Sequence, residues 1–363
     1  MKRILSLVMA MAMMFTLASC GGGNDTPAAS SSTPADTSVS SGTTTDDPYA
    51  NLDPVELVGA DSTGKGAAGQ IFGELVTSKV AEITGGKLTI DYHPNGDLGG
   101  DADLLRQMQN NDIQIVVCQT APTVSFIPEM AVFDLPMVFA KYDAATIDSV
   151  LNGADSAFKA QLSEAYENVG LHLLGFLQNA TYRLTTANVN LATLADFAAL
   201  QIRTMENANH MAFWTAIGAE PTPLAWAEVY FSLQSGAIDA QENAADTCVG
   251  ANFQEVQKYL ACTNHILYAN QICINSEAYA ELDPAYQAAL DQAVAEAIAE
   301  LRPQLADLDA SNKAKLAEGG MTITEYPAEF YDEILALDAV KALYEKIDAD
   351  VNGLGTALQN TLA

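Results

Sequence analysis

Positive charge is what this chain has least of. Sixteen Lys and Arg stand against 46 Asp and Glu in 363 residues, a formal net charge of −30. A surface of that sign repels nucleic acid and anionic lipid headgroups, so neither is expected as a partner. Cysteine is scarce, five in all, and no spacing among them matches a CxxC pair or a zinc site. The four histidines, His93, His172, His210 and His265, lie far apart with no ligand-spaced acidic or cysteine neighbours. They are expected as surface or core residues, and no metal is expected. There is no GxSxG elbow, no HExxH pair and no P-loop. Their absence removes the commonest signatures of hydrolase, zinc-protease and nucleotidase chemistry. Carboxylates are so numerous that no pair of them marks an acid–base site.

Long apolar runs are rare as well. The N-terminal one follows Lys2 and Arg3 and covers residues 4–17. It is short for a membrane span and suits the core of a signal peptide. It ends in Leu17-Ala18-Ser19-Cys20, which resembles the bacterial lipobox. That likeness implies that residues 1–19 are cleaved and that Cys20 is lipidated, anchoring the protein outside the bacterial cell membrane rather than through it. Residues 20–50 are rich in Ser, Thr, Gly, Pro and Asp and nearly devoid of apolar side chains. Such a segment cannot repay its ordering entropy by burial and is expected to be a disordered leash.

From Val55 onward, short β-rich runs alternate with helical patterns. VELVGA, KLTIDYH, IQIVVCQ, HLLGFLQ, LQIRTM, AIDAQE and NQICINS read as strands. GQIFGELVTSKVAEIT, DADLLRQMQNN, DSAFKAQLSEAYENV, NANHMAFWTAIG and AWAEVYFSLQSG read as helices, with Phe72, Leu75, Val76, Val80 and Ile83 at helical spacing. The alternation predicts an α/β fold with largely parallel sheets. The tail is helical over residues 278–318 and 328–350, with MTITEY as a strand between. Cys118, Cys248, Cys262 and Cys273 mostly sit in apolar runs and read as small buried hydrophobes. A Cys248–Cys262 disulfide would be compatible with export.

GKGAAG, residues 64–69, is a formal match to the dinucleotide GxGxxG, with Asp91 downstream where that fingerprint wants an acid. The apolar strand VELV, however, ends at Val58, too early for the turn. The plain alternative is a Gly-rich turn in which Asp61, Ser62 or Thr63 caps a helix. Between the two lies a turn that borders some other ligand, with Ser62 and Lys65 facing it.

Arginine is as scarce as cysteine, five in the chain. Arg3 belongs to the signal peptide, and Arg106 and Arg302 lie in polar helical segments that read as solvated faces. Arg183 sits in NATYRLTTAN, and Arg203 sits inside the strand LQIRTM, flanked by Ile202 and Thr204. A guanidinium near the core requires an anionic partner. That partner is either an internal Asp or Glu, or the carboxylate of a ligand held bidentately.

The run from Ile202 to Ile266 resembles the signature region of DctP-type solute-binding proteins, the extracytoplasmic receptors of tripartite ATP-independent periplasmic (TRAP) transporters. The matching pieces are Ile202-Arg203, Gly218-Ala219, Pro221-Thr222-Pro223, Glu228-Val229-Tyr230, Leu233-Gln234-Ser235-Gly236, Asp239, Gln241-Glu242-Asn243, Glu255-Val256-Gln257-Lys258-Tyr259 and Thr263-Asn264-His265. A weaker likeness extends over residues 55–350. The resemblance implies two α/β lobes of the periplasmic-binding-protein kind, a ligand cleft between them and a long C-terminal helix spanning both. It places residues 51–180 with 269–308 in one lobe and 181–268 with 309–363 in the other. It further implies an organic acid ligand whose carboxylate meets Arg203 and Asn243. Arg183 would be a second contact, Trp226 an aromatic wall, and Gln119 would stand where some acid-sugar binders carry glutamate. Pro122 stands where those binders carry arginine, which argues against a sialic-acid-type ligand. Trp226 would suit an aromatic or otherwise apolar acid. Ala240 and Ala244 depart from the usual glycine and proline around QEN. The implied function is capture of an organic acid for a TRAP membrane permease, without cofactor or catalysis. Two alternatives are a lipoprotein reporting to a sensor and a nucleotide-dependent enzyme using residues 64–69.

Overall fold

The apolar runs pair into two sheets in the computed structural model, which describes residues 47–362. The segment expected to be a signal peptide, Cys20 and nearly all of the expected leash lie outside the described residues. The strands are β1 Val55–Asp61, β2 Leu88–His93, β3 Ile115–Gln119, β4 Leu171–Leu177, β5 Leu184–Ala187, β6 Gln201–Thr204, β7 Glu220–Pro223, β8 Ala240–Asn243, β9 Tyr259–Ala261, β10 Asn270–Asn275 and β11 Thr322–Thr324. One sheet has the order β2-β1-β3-β10-β4 and the other β11-β9-β5-β8-β6-β7.

The sheets are mixed, which corrects the expectation of largely parallel pairing. β1 is parallel to β2 and β3, but β10 runs antiparallel to both β3 and β4. In the second sheet β5 is antiparallel to both β8 and β9. The cause is topological. β4 hands the chain to β5 in the other sheet, and β9 returns it to β10. A strand that enters its sheet from the junction runs opposite to neighbours that point toward it. The two crossing segments bond to each other, Arg183 N–H to Ile266 O at 2.9 Å and Tyr268 N–H to Thr181 O at 2.8 Å. They form a short antiparallel ribbon between the sheets.

A third connection is helical. Helix Pro284–Leu301 packs on helix Ala68–Ile83 beside the first sheet, and helix Leu305–Glu318 packs on helix Ala245–Gly250 beside the second. Between them lies a single 3-10 turn, Arg302–Gln304, containing Pro303. Proline has no N–H to give, so a tighter turn there interrupts the α ladder. The last helix, Leu354–Leu362, packs on helices Ala144–Asn152 and Ala157–Glu167, on the first sheet's side.

Each sheet buries apolar side chains against its helices. Phe72, Val76 and Val80 of helix Ala68–Ile83 meet Leu88, Ile115 and Val117 on one face of the first sheet. Ile202, Phe213 and Trp214 join Phe133, Phe139 and Phe176 in a core that reaches from one sheet's surroundings to the other's. Gly73 is required by close packing: a Cβ there would lie 1.8 Å from the Tyr92 hydroxyl. The four cysteines Cys118, Cys248, Cys262 and Cys273 are buried free thiols, so the Cys248–Cys262 bond does not form.

Candidate functional site

A cavity of about 470 Å³ opens between the two sheets. Its walls are the carboxyl ends of β1, β3, β6 and β8 and the segments that follow them, where open α/β sheets place their ligands. The first sheet contributes Ser62, Thr63 and Gly64 after β1, Asp101, Asp103 and Arg106 from helix Asp101–Gln109, and Gln119 at the end of β3. The second contributes Arg203, Met205, Glu206, Leu224, Trp226 and Asn243.

Strand alternation places Arg203 here. Ile202 enters the core, so the next residue faces the opposite side, toward the cavity. Arg203 is buried, and its Nε and Nη2 both donate to the Leu224 carbonyl, at 3.0 and 2.6 Å. Nη1 is buried without a partner among the described residues. The Trp226 ring lies 5.7 Å from the guanidinium carbon and offers it a π face. Burial pulls the Arg203 pKa down to about 10, only partly offset by Glu242. It is still a cation at neutral pH, held in a desolvated place with one donor edge unused.

Arg183 has the opposite surroundings. Its Nε donates to Glu242 Oε2, and its Nη2 donates to Glu242 Oε1 and to the Glu242 carbonyl, both at 3.1 Å. Its Nη1 donates to Gln119 Oε1 at 2.6 Å, and Nη2 reaches Asn243 Oδ1 at 3.3 Å. These bonds orient the two amides. With their oxygens turned to Arg183, both amides have their NH2 groups left to donate; Asn243 gives one proton to Gln241 Oε1 at 3.4 Å and keeps the other, and Gln119 keeps both. Arg183 does not line the cavity; it positions residues that do.

Glu242 is the centre of this buried cluster. His265 Nε2 lies 3.1 Å from Oε2 and His210 Nδ1 lies 3.5 Å from Oε1. His210 Nε2 in turn meets Asp134 at 3.1 Å, and Asn207 and Asn209 both donate to Asp134. Burial alone would raise the Glu242 pKa, but Arg183, His210 and His265 hold it well below the carboxylate range. Burial would also depress His210, yet its bonds to Asp134 and Glu242 raise it to about 9. His265 is pushed down by burial. Two cations thus balance two anions in the core, and the second histidine stays neutral at physiological pH.

The first-sheet wall is acidic. Ser62 donates to Asp101, which burial raises to about 6 against the lowering effect of that bond. Asp61, also raised by burial, accepts from the Thr63 amide and hydroxyl, each at 2.7 Å, and from the Tyr92 hydroxyl at 2.8 Å. The glycine turn lies between this wall and helix Ala68–Ile83. β1 runs on to Asp61 rather than ending at Val58, so the turn does follow the strand closely. The helix start is nevertheless taken: the Ala68 N–H donates to Asp246 Oδ2 of the second-sheet side at 2.8 Å. A carboxylate therefore occupies the place a dinucleotide pyrophosphate would require.

Of the residues singled out from sequence, Arg203, Asn243, Trp226, Gln119 and Ser62 come together around the cavity. Arg183 lies behind it, and Lys65 is exposed outside its lining. Asp101, Asp103, Arg106, Met205 and Glu206 line it without having been singled out. Nothing in their local sequence separates them from an ordinary solvated helix start or loop. Among the described residues, no group of three or more His, Cys, Asp or Glu is placed to hold a metal ion, and no helix is long and apolar enough to cross a membrane.

Residues 60–349 match the family model of DctP, the bacterial extracellular solute-binding proteins of family 7. The C4-dicarboxylate-binding periplasmic protein DctP of Rhodobacter capsulatus is 30% identical over 238 residues, 65% of this chain and 68% of that one. A TRAP periplasmic solute-binding protein of Ochrobactrum anthropi, solved with a C-terminus bound in its ligand pocket, superposes with a TM-score of 0.75 at 28% identity, covering 85% of this chain and 95% of that chain. Another, from Bordetella bronchiseptica, with density assigned to pantoate, gives 0.76 at 26% identity over 85% and 99%.

Proposed function

We propose, given that this chain belongs to the DctP family of bacterial extracellular solute-binding proteins, that it captures an organic acid by its carboxylate and delivers it to a TRAP-type membrane permease. Receptors of this family bind solutes rather than transform them, and the dicarboxylate and pantoate named for two relatives are both carboxylic acids. The observation that carries the reading is the unpartnered Nη1 of Arg203, buried at the wall of the inter-sheet cavity. A ligand carboxylate would accept from that edge, from the Gln119 amide and from the second proton of the Asn243 amide, whose first goes to Gln241 Oε1 at 3.4 Å. Each such charge-assisted bond contributes about 1.5–3 kcal/mol. Trp226 would lie against the ligand while facing Arg203.

The sheets are joined by the crossing ribbon, by the turn at Pro303 and by the helical tail that leaves β11 for the first sheet's side, so one half would rotate on the other about those segments. Closure would then be a population shift, drawn by contacts made better in the closed form. The net charge of −30 repels anions at long range, so capture depends on this local donor set. In this reading Cys20 carries the lipid anchor and residues 20–50 serve as the leash. Calorimetry with a panel of mono- and dicarboxylates tests the site. Arg203→Ala should weaken the best ligand by about 100-fold or more. An unchanged affinity would remove Arg203 from the site.

A further inference from the structure

The cavity is divided by hydrogen-bond sense. Apart from the Glu206 carboxylate, which follows β6, the side-chain groups at the Arg203 end are donors: Arg203 Nη1, and the amide nitrogens of Gln119 and Asn243 whose oxygens are turned to Arg183, one Asn243 proton going to Gln241 Oε1 at 3.4 Å. The opposite wall has the reverse character. Ser62 gives its proton to Asp101, Thr63 gives its own to Asp61, and Ser125 gives its own to the Pro122 carbonyl. These hydroxyls present lone pairs to the cavity, beside the carboxylates of Asp101 and Asp103. The other guanidinium on the cavity, that of Arg106, is tied to Asp103 at 3.1 Å. The amide end of helix Asp101–Gln109 already has two carboxylates in its first turn to complement it.

Resting on the reading of Arg203 as the carboxylate anchor, we propose that the far wall selects acids whose other end carries hydrogen-bond donors, and that Asp101 is the residue that rejects a second carboxylate. The donor is a hydroxyl or an ammonium; both satisfy an acceptor wall. A dicarboxylate would bring its second charge against Asp101 with no unpaired cation to receive it.

Two matched pairs of six-carbon acids test this by calorimetry: D-gluconate against D-glucarate, and 6-aminohexanoate against adipate. The members of each pair differ at the far end only. The acid with the donor end should bind at least about tenfold tighter than its dicarboxylate. The pair that binds more strongly tells hydroxyl from ammonium. In Asp101→Asn, which keeps the size and the Ser62 bond, the gap should shrink below about threefold. Equal or tighter binding of the dicarboxylates, or a gap that survives in Asp101→Asn, overturns the inference. It does so without touching the anchor, provided that Arg203→Ala abolishes binding of every acid. Binding that survives Arg203→Ala, or no binding of any of the four acids, would instead bring down the anchor reading and this inference with it.

Discussion

Arg203 and Arg183 are nearly equally hidden, 3% and 1% exposed, yet they stand in contrasting regions. Arg183 sits in a closed cluster where Glu242 neutralises it and its other donors go to Gln119 and Asn243. Arg203 gives two donors to one carbonyl and keeps a third unused at a cavity wall. Burial alone therefore says little about the role of a charged residue. What distinguishes structure from function here is whether the buried charge has been answered from within the chain.

The contrast is easiest to break with stability measurements. Arg183→Met should cost roughly 3–5 kcal/mol in urea unfolding, because Glu242 is left buried without its main counter-charge. Arg203→Met removes a cation that makes no direct ion pair among the described residues, leaving only the Leu224 carbonyl short of donors, and should cost no more than about 1.5 kcal/mol. Equal losses would mean that the two sites do not differ in the way their contacts say.

A pH series sharpens the same comparison. His210 is raised from about 6.5 in the unfolded chain to about 9 by Asp134 and Glu242. A group raised on folding gives its full stabilisation below its unfolded pKa and loses it as pH climbs through the folded one. The urea midpoint should therefore fall between pH 6.5 and 9.5, and His210→Gln should flatten that slope although it is less stable overall. Arg203, lowered to about 10, begins to lose its proton only at the alkaline edge of this window, so replacing it should leave the slope between pH 6.5 and about 9 unchanged. On the cavity side, Trp226→Ala should weaken the bound acid by about three- to tenfold through loss of the ring beside the guanidinium. Titration of that variant against the parent measures it.

Much of the frame was legible in the sequence because periodicity and turn residues speak locally. The seven strand runs before the tail all form, and Gly236, at φ 72°, ends helix Trp226–Ser235 in the left-handed conformation that glycine adopts without strain. β5, β7 and β9 were not legible as strands. They are three or four residues long, and β7 is the proline-bearing EPTP at a sheet edge, where a missing N–H costs no ladder bond. The site was legible in part for a different reason. Arg203, Asn243, Gln119 and Trp226 carried a family likeness, whereas Asp101 and Glu206 resemble any acidic residue in an acidic chain. The cluster around Glu242 was illegible because its members, from Asp134 to His265, are brought together only by the crossing ribbon and the second sheet.

The smallest expected effect bears on how the halves meet. Helix Ala68–Ile83 begins at Ala67, which has no side chain to cap it, and its first amide is bonded by Asp246 from beside the other sheet. A cap of this kind contributes about 1 kcal/mol. If the halves separate when the site is empty, the cap is made only in the closed form, and its energy enters ligand affinity rather than the stability of the open protein. Asp246→Ala should then weaken acid binding by about fivefold, mostly through faster dissociation, and leave the ligand-free unfolding midpoint nearly unchanged. A drop in ligand-free stability with unaltered affinity would show that Asp246 holds the two halves together whether or not a ligand is bound, and the rotation would have to occur elsewhere.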